Sequence, residues 1–336
     1  MERIAVFVGL DYHQSAVQVC VMDRSGQVLT NRSCANDWRA MEAVVGRGGQ
    51  KVRAAMESCA GAADLAEELM AGAGWEVALA HPGYVRRMKQ NPDKTDFTDA
   101  RMLADLVRVG YLPRVWLAPK EVRELRRLVR YRQQLVGERR NAKLRVGALL
   151  REHRLRKALA RPFSRAWLRW LEQAALSEQS RWIVQRHLAR LLALGEEIRL
   201  VERRLTALTE DDPVVGKLLR LPGVGPVTAW TMRAEVGQFD RFRFGKELSR
   251  FCGLSPRNAQ SGARQADAGL IEAANPQLRA TLIEAAHRLI RYEQRWRELA
   301  FRLRQAGKPG SLIAAAVANR WMRWLHHHMQ PERWAA

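Results

Sequence analysis

The sequence predicts an α/β domain over residues 1–113, a basic helical arm over 114–210 and an α-helical domain over 211–336. Three observations carry this. Short apolar or alternating runs with the period of strands are confined to residues 4–80, an apolar repeat of three or four residues begins at Lys120, and Asp211-Asp212-Pro213 breaks the pattern again.

Residues 4–10 (IAVFVGL) form an apolar run ending at Asp11, residues 16–22 (AVQVCVM) alternate, and residues 28–31 follow a Ser25-Gly26 turn. Together they read as a three-stranded antiparallel meander. A helix near 36–46 comes next, then a strand at 51–56 (KVRAAM) ending at Glu57. A helix over about 62–73 stops at Gly72 and Gly74, and a strand covers 76–80. After His81-Pro82-Gly83 come another helix and a basic loop. The order β-β-β-α-β-α-β-α is the RNase H-like succession, and its three-strand start separates it from a doubly wound dinucleotide fold.

From Lys120 to about 210 the pattern is helical. Val122, Leu125, Val129, Arg132, Val136, Arg139, Lys143, Val146 and Leu150 step by three or four, apolar at both ends of the seam and basic in its middle. Such a helix reads as a coiled-coil arm or a nucleic-acid rail, on which Arg126, Arg127 and Arg130 would meet phosphates. An ordinary connector with solvated charges is the alternative. Pro162 interrupts the pattern, and a second helical stretch runs from about 179 to 208.

Charge narrows the function. The chain carries 57 Lys and Arg against 35 Asp and Glu, a net +22. Residues 1–100 hold 11 basic and 13 acidic side chains, whereas residues 101–210 hold 26 and 11. Most of the basic residues are arginine, which grips phosphate in a bidentate, planar way. A polyanion partner, DNA or RNA, is the economical reading. Cys20, Cys34, Cys59 and Cys252 lack C-x-x-C spacing, which fits reduced thiols and argues against structural zinc. With no signal pattern and no run of about 18 apolar residues, a cytoplasmic protein without a membrane partner is expected.

Three groups of residues bear chemistry. Asp11 and Glu57 close apolar strands that neighbour each other in an RNase H-like sheet, while Asp96 and Asp99 lie at the start of a helical stretch. Their i, i+3 spacing puts the latter two on one helix face, with Asp105 on the opposite one. Four carboxylates in one cleft repel unless they hold cations, and hard oxygen ligands suit a pair of Mg²⁺ ions for in-line displacement at phosphorus. The second group, Leu221-Pro222-Gly223-Val224-Gly225-Pro226, predicts a helix-hairpin-helix. Gly223 and Gly225 let the backbone approach phosphate there, and the next helix offers its N-terminal amides; a tight inter-helix turn is the plain alternative. In the third, residues 254–269 read as a loop, in which Ser261 on composition alone is a turn or cap residue. His326 to His328 have no carboxylate or Cys partner in sequence and are not expected to bind metal.

VGLDYH, AAMESCAG and NPDKTDFTDARMLADL in the first half, with LPGVGPVTA, RFCGLSPRNAQSG and AGLIEAANPQLRATLIEAA in the second, resemble the DEDD-type insertion-sequence transposases. That family comprises bridge-RNA-guided serine recombinases with a RuvC-like N-terminal domain and a C-terminal transposase domain. The resemblance spans nearly the whole chain. It implies that Asp11, Glu57, Asp96 and Asp99 hold the metal and that Ser261 is the nucleophile, with Ser255 the near competitor. It further implies a phosphoserine link to DNA, a guide RNA that chooses the sites, and a dimer assembling to a tetramer on two duplexes. A water-using RuvC-like nuclease or junction resolvase is one rival reading, and a non-enzymatic nucleic-acid scaffold is the other. Where relatives often carry a cation and a glycine, this chain has Glu272 and Ala274.

Overall fold

The computed structural model describes residues 6–46, 51–89, 95–155, 160–261 and 264–330, the stretch 258–268 by its backbone alone. The chain divides into two compact units, residues 1–119 and 120–336.

The first unit opens with β1 (Val6–Tyr12), β2 (Ala16–Met22) and β3 (Val28–Ala35), the expected antiparallel meander. Then follow α1 (Trp38–Val45), β4 (Val52–Glu57), α2 (Ala62–Gly72), β5 (Glu76–Ala80), α3 (Pro82–Met88), α4 (Asp96–Arg108) and the two-residue β6 (Arg114–Val115). The sheet order is β3-β2-β1-β4-β5-β6, with β1, β4 and β5 parallel. This mixed sheet flanked by helices is compatible with an RNase H-like domain.

Alternation along β1 sorts its two faces. Val6, Val8 and Leu10 join Met41 of α1 and Leu65 and Leu69 of α2 in one core; Phe7 joins Ala100, Leu103, Ala104 and Val107 of α4 in the other. Each fully buried Val or Leu is worth about 1.5–3 kcal/mol, so a one-residue slip of β1 would be strongly disfavoured. Gly9 lies on the α4 face. A Cβ there would sit 1.8 Å from the Ala100 carbonyl oxygen and 2.5 Å from the Ala104 nitrogen, so only glycine permits this approach of strand and helix.

In the second unit α5 (Lys120–Glu152), α6 (Arg165–Glu172) and α7 (Glu178–Leu208) precede α8 (Pro213–Leu219), α9 (Pro226–Val236) and α10 (Gly245–Phe251). The short ribbon β7 (Pro256–Ser261) and β8 (Arg264–Leu270) follows, then α11 (Pro276–Tyr292), α12 (Gln294–Gln305) and α13 (Gly310–His328). α5 and α7 lie side by side and exchange ion pairs in both directions. Arg132 meets Glu202 at 2.6 Å, and Glu138 meets Arg190 at 3.0 Å. One end of the pair, with α6, forms a small core of Val146, Trp167, Leu171, Ala174 and Val184. At the other end Leu125, Val129, Ile198, Val201 and Leu205 merge into the core of the helices that follow.

The antiparallel ribbon stands where composition predicts a loop, and the expectation is corrected there. β7 carries no apolar alternation, and that of β8 rests on Ala266, Ala268 and Leu270 alone, two of them with the smallest of apolar side chains. No described helix is long and apolar enough to cross a membrane.

Candidate active site

Parallel pairing of β1 and β4 ends with Leu10 beside Met56, which sets Asp11 and Glu57 at the same level, one residue further on. Asp11 shares the face of Phe7 and Gly9, and Glu57 that of Ala55, the face covered by α4. α4 begins there. Its cap is Thr95, whose side chain accepts from the Thr98 amide at 3.2 Å, and Asp96 and Asp99 occupy its first turn. Carboxylates are favoured at that end by the helix dipole. The close approach at Gly9 thus brings the first turn of α4 to the end of β1.

The four acids interact. Burial pushes the Asp11 carboxyl above its ordinary pKa; His13 opposes this, and Asp96, Asp99 and Glu57 push it further up. His13 bridges two of them, with Nε2 at 3.5 Å from Asp11 Oδ2 and 3.3 Å from Asp96 Oδ2. Asp99, largely buried, accepts from Lys89 Nζ at 2.6 Å. Ligand atoms of Asp11, His13 and Asp96 all fall within 4.8 Å of one another, a spacing one divalent cation can span. Neither His13 nor Lys89 was singled out in the sequence. The signal for His13 was available, two residues after Asp11 in LDYH; Lys89 lies at the C-cap of α3 with no motif around it. Asp105 points elsewhere and binds its own helix neighbour Arg108.

Ser261 is the last residue of β7, paired in the ladder with Arg264; its side chain lies outside the described residues. Ser255 has a different place, since its carbonyl accepts from the Ile271 amide at 3.1 Å and closes the base of the ribbon. Beside it, the departures from the family pattern have partners. Glu272 faces Arg257 at 3.8 Å, and Ala274 sits where a Cβ on Gly253 (φ +72°) would approach within 2.5 Å.

The two hairpin glycines differ. Gly223 (φ +76°) is packed against Leu289, and its carbonyl accepts from Arg288 Nε at 2.9 Å. The same guanidinium donates to Thr228 Oγ1 at 2.9 Å, so a cation of the protein already bridges this turn and the start of α9. Gly225, the N-cap of α9, faces open space.

The expected rail arginines are engaged within the fold. Arg130 donates twice to Glu235, at 2.9 Å each, and Arg126 Nε donates to the Ala234 carbonyl at 2.9 Å while lying 3.7 Å from the Glu235 carboxylate. Glu235 is only 5% exposed, so these side chains tie α5 to α9. Arg127 pairs with Glu124 one turn back on its own helix. At the other end of the unit His326 is buried, with Nε2 2.7 Å from the Phe242 carbonyl oxygen.

Two family models match the chain. One, a transposase model of the DEDD, IS110 type, covers residues 8–154 and so contains all four acids; the other, described as transposase IS116/IS110/IS902 family, covers 216–300 and contains Ser261. The chain belongs to the IS110 family of insertion-sequence transposases. Its similarity to individual members is modest but long. It is 27% identical over 290 residues to the transposase for insertion sequence element IS1111A of Coxiella burnetii, covering 85% of this chain and 78% of that one. A Pseudomonas aeruginosa protein named as a family 20 transposase is 27% identical over 329 residues, 95% of each chain. A Sinorhizobium fredii protein named as a transposase, y4qE, is 29% identical over 218 residues; the match takes in 65% of this transposase and about half, 54%, of that relative.

Proposed function

We propose that this transposase cuts and rejoins DNA strands at a site where Asp11, Glu57, Asp96 and Asp99 hold two magnesium ions and Ser261 is the nucleophile. The observation that carries the reading is the crowding of the acids. Asp96, Asp99 and Glu57 all act on Asp11 in the direction of protonation, and the one lysine at the cluster, Lys89, is taken up by Asp99. The donor set fits the ion: carboxylate oxygens are the hard ligands magnesium takes, and His13 adds one nitrogen at the edge of the cluster. When bound, the ions neutralise charge on a scissile phosphate and lower the pKa of an attacking hydroxyl.

The serine does the covalent work. Its Oγ bonds to phosphorus as the bond from phosphorus to the 3′ oxygen breaks, and the hydroxyl proton is balanced by one gained at that 3′ oxygen. The phosphoserine ester conserves the phosphodiester, so rejoining by the reverse step needs no nucleotide cofactor. The excess of basic over acidic side chains beyond residue 100 supports a nucleic-acid partner, DNA duplexes together with a bridge RNA that selects them. Gly225, at the N-cap of α9 with open space around it, is where the predicted helix-hairpin-helix would meet a phosphate. Exchange between two duplexes calls for several active sites, hence a dimer assembling to a tetramer.

The deciding experiment is a trap. Denaturing a stalled reaction in magnesium should release protein covalently joined to DNA. Ser261→Ala should lose adduct and strand exchange together, and Ser255→Ala should keep both. Normal cleavage by Ser261→Ala, with no adduct in any variant, would replace the recombinase by a water-using RuvC-like nuclease or junction resolvase. A discrete RNA co-purifying with the protein tests the guide separately.

A further inference from the structure

Arginines on α12 and α13 contrast with those on α5. A recess of about 400 Å³ between these two helices is lined by Arg295 and Arg302 from one wall and Arg320 and Arg323 from the other, with Trp296 and Trp324 among them. No Asp or Glu lines it, and among the described residues none of the four guanidiniums has a carboxylate partner. All four side chains are exposed. Arg295 is held over the rings of Trp296 at 4.9 Å and Trp324 at 6.0 Å, and His328 stacks on Trp324 at 4.7 Å. Cation–π contacts fix a guanidinium in place without consuming its N–H donors.

Four like charges around one recess cost free energy unless an anion is their partner. The dimensions narrow the anion. At about 1.5 Å of rise per residue, Arg295 and Arg302 stand roughly 10 Å apart along α12, the length of about three nucleotides of a stacked strand at 3.4 Å each. A hollow of this volume admits a nucleotide-sized group inside it, whereas a duplex could touch only its rim. Guanidiniums interleaved with aromatic rings are the surface on which unpaired bases stack while their phosphates are neutralised. We infer that the recess between α12 and α13 is a binding site for an unpaired nucleic-acid segment, its phosphates on Arg302, Arg320 and Arg323 and a base against Arg295 and Trp324. The inference rests on the reading of nucleic acid as the partner, and names the strand form and the place.

The test uses the full-length protein and four end-labelled probes: 12-nucleotide dT and rU strands, and a DNA and an RNA duplex of 20 base pairs. Arg302→Gln with Arg323→Gln should weaken the preferred single strand at least tenfold and lower its salt slope by about 1.4, roughly 0.7 per lost contact. Duplex binding should fall less than threefold. The control, Arg297→Gln with Arg304→Gln, removes the same charge from exposed positions of α12 outside the recess and should cost less than threefold on any probe. Preference between dT and rU tells which strand occupies the site. Equal losses on strands and duplexes, or equal losses in control and recess variants, would reduce the recess to general surface charge and overturn the inference. Wild-type binding with an unaltered recess variant overturns this inference alone; a wild type that binds none of the probes overturns the nucleic-acid reading with it.

Discussion

Two charged clusters, one in each unit, look alike in composition and differ in balance. Around Asp11 four carboxylates meet one ammonium group, Lys89, and the imidazole of His13; around Glu235 one carboxylate meets two guanidiniums, Arg126 and Arg130. Negative charge left over in the first opposes folding, whereas in the second the buried carboxylate has more than enough cationic donors and ties α5 to α9. Carboxylates crowded on one another are therefore the better sign of function, and a buried carboxylate with its donors in place a sign of structure, even when both use the residue types that sequence reading associates with nucleic-acid chemistry. The recess on α12 and α13 is the positive counterpart of the Asp11 cluster.

The largest effect expected from this contrast is on catalysis. Asp11→Asn or Glu57→Gln should lower DNA cleavage by on the order of a thousandfold, as removal of a charge-stabilising group does in other active sites, with nucleic-acid binding largely kept. Asp11→Asn should leave thermal stability unchanged or raised. The sign follows from the raised Asp11 pKa: the folded protein holds this proton more tightly than the unfolded chain, so stability falls as pH rises from the ordinary carboxyl value near 3.8 through the raised one. Stability of Asp11→Asn should lack that fall, and a mutant less stable than wild type at neutral pH without metal would break the comparison.

Next in size is metal linkage. Magnesium at a hundred times its dissociation constant should stabilise the wild type by about 2.7 kcal/mol, read as a rise in Tm, and should do far less for Asp11→Asn. The Glu235 cluster should behave in the opposite sense. Arg130→Gln leaves a buried carboxylate short of its best donor; a hydrogen bond to a charged group is worth about 1.5–3 kcal/mol, and the low end applies because Arg130 is 58% exposed. Its Tm should fall and its response to magnesium should stay normal. Replacing Arg126 and Arg130 together to test nucleic-acid affinity therefore needs a stability measurement beside it. The smallest effect belongs to Asp105→Asn, which should remain active, because Asp105 serves Arg108 and lies outside the cluster.

What the sequence made legible follows from burial. β1, β2, β4 and β5 each pack at least one face on a core, so apolar periodicity marked them, and acids placed at the ends of two such strands were easy to bring together on paper. In the ribbon β7 carries no such pattern and β8 only the faint one of Ala266, Ala268 and Leu270, while β6 is too short for any period. Pairings across long sequence separations were invisible for another reason. Nothing near Arg126 or Arg130 announces Glu235, more than one hundred positions away, and nothing near Lys89 announces that it turns back onto Asp99. A run of arginines tells how much charge is present, and only the fold tells how much of it is already spoken for.

Gly9 bears on how such an element dies. With a Cβ excluded by the backbone of α4, every base change in the first two positions of a glycine codon installs an atom where the structure has no room, or ends the chain. A copy that keeps Asp11, Glu57, Asp96, Asp99 and Ser261 can therefore lose the packing of α4 on β1, and with it the placement of Asp96 and Asp99, through one nucleotide change at Gly9. Surveys that score copies as competent from their acidic residues would count such relics as live, and codon 9 is the place to look for them.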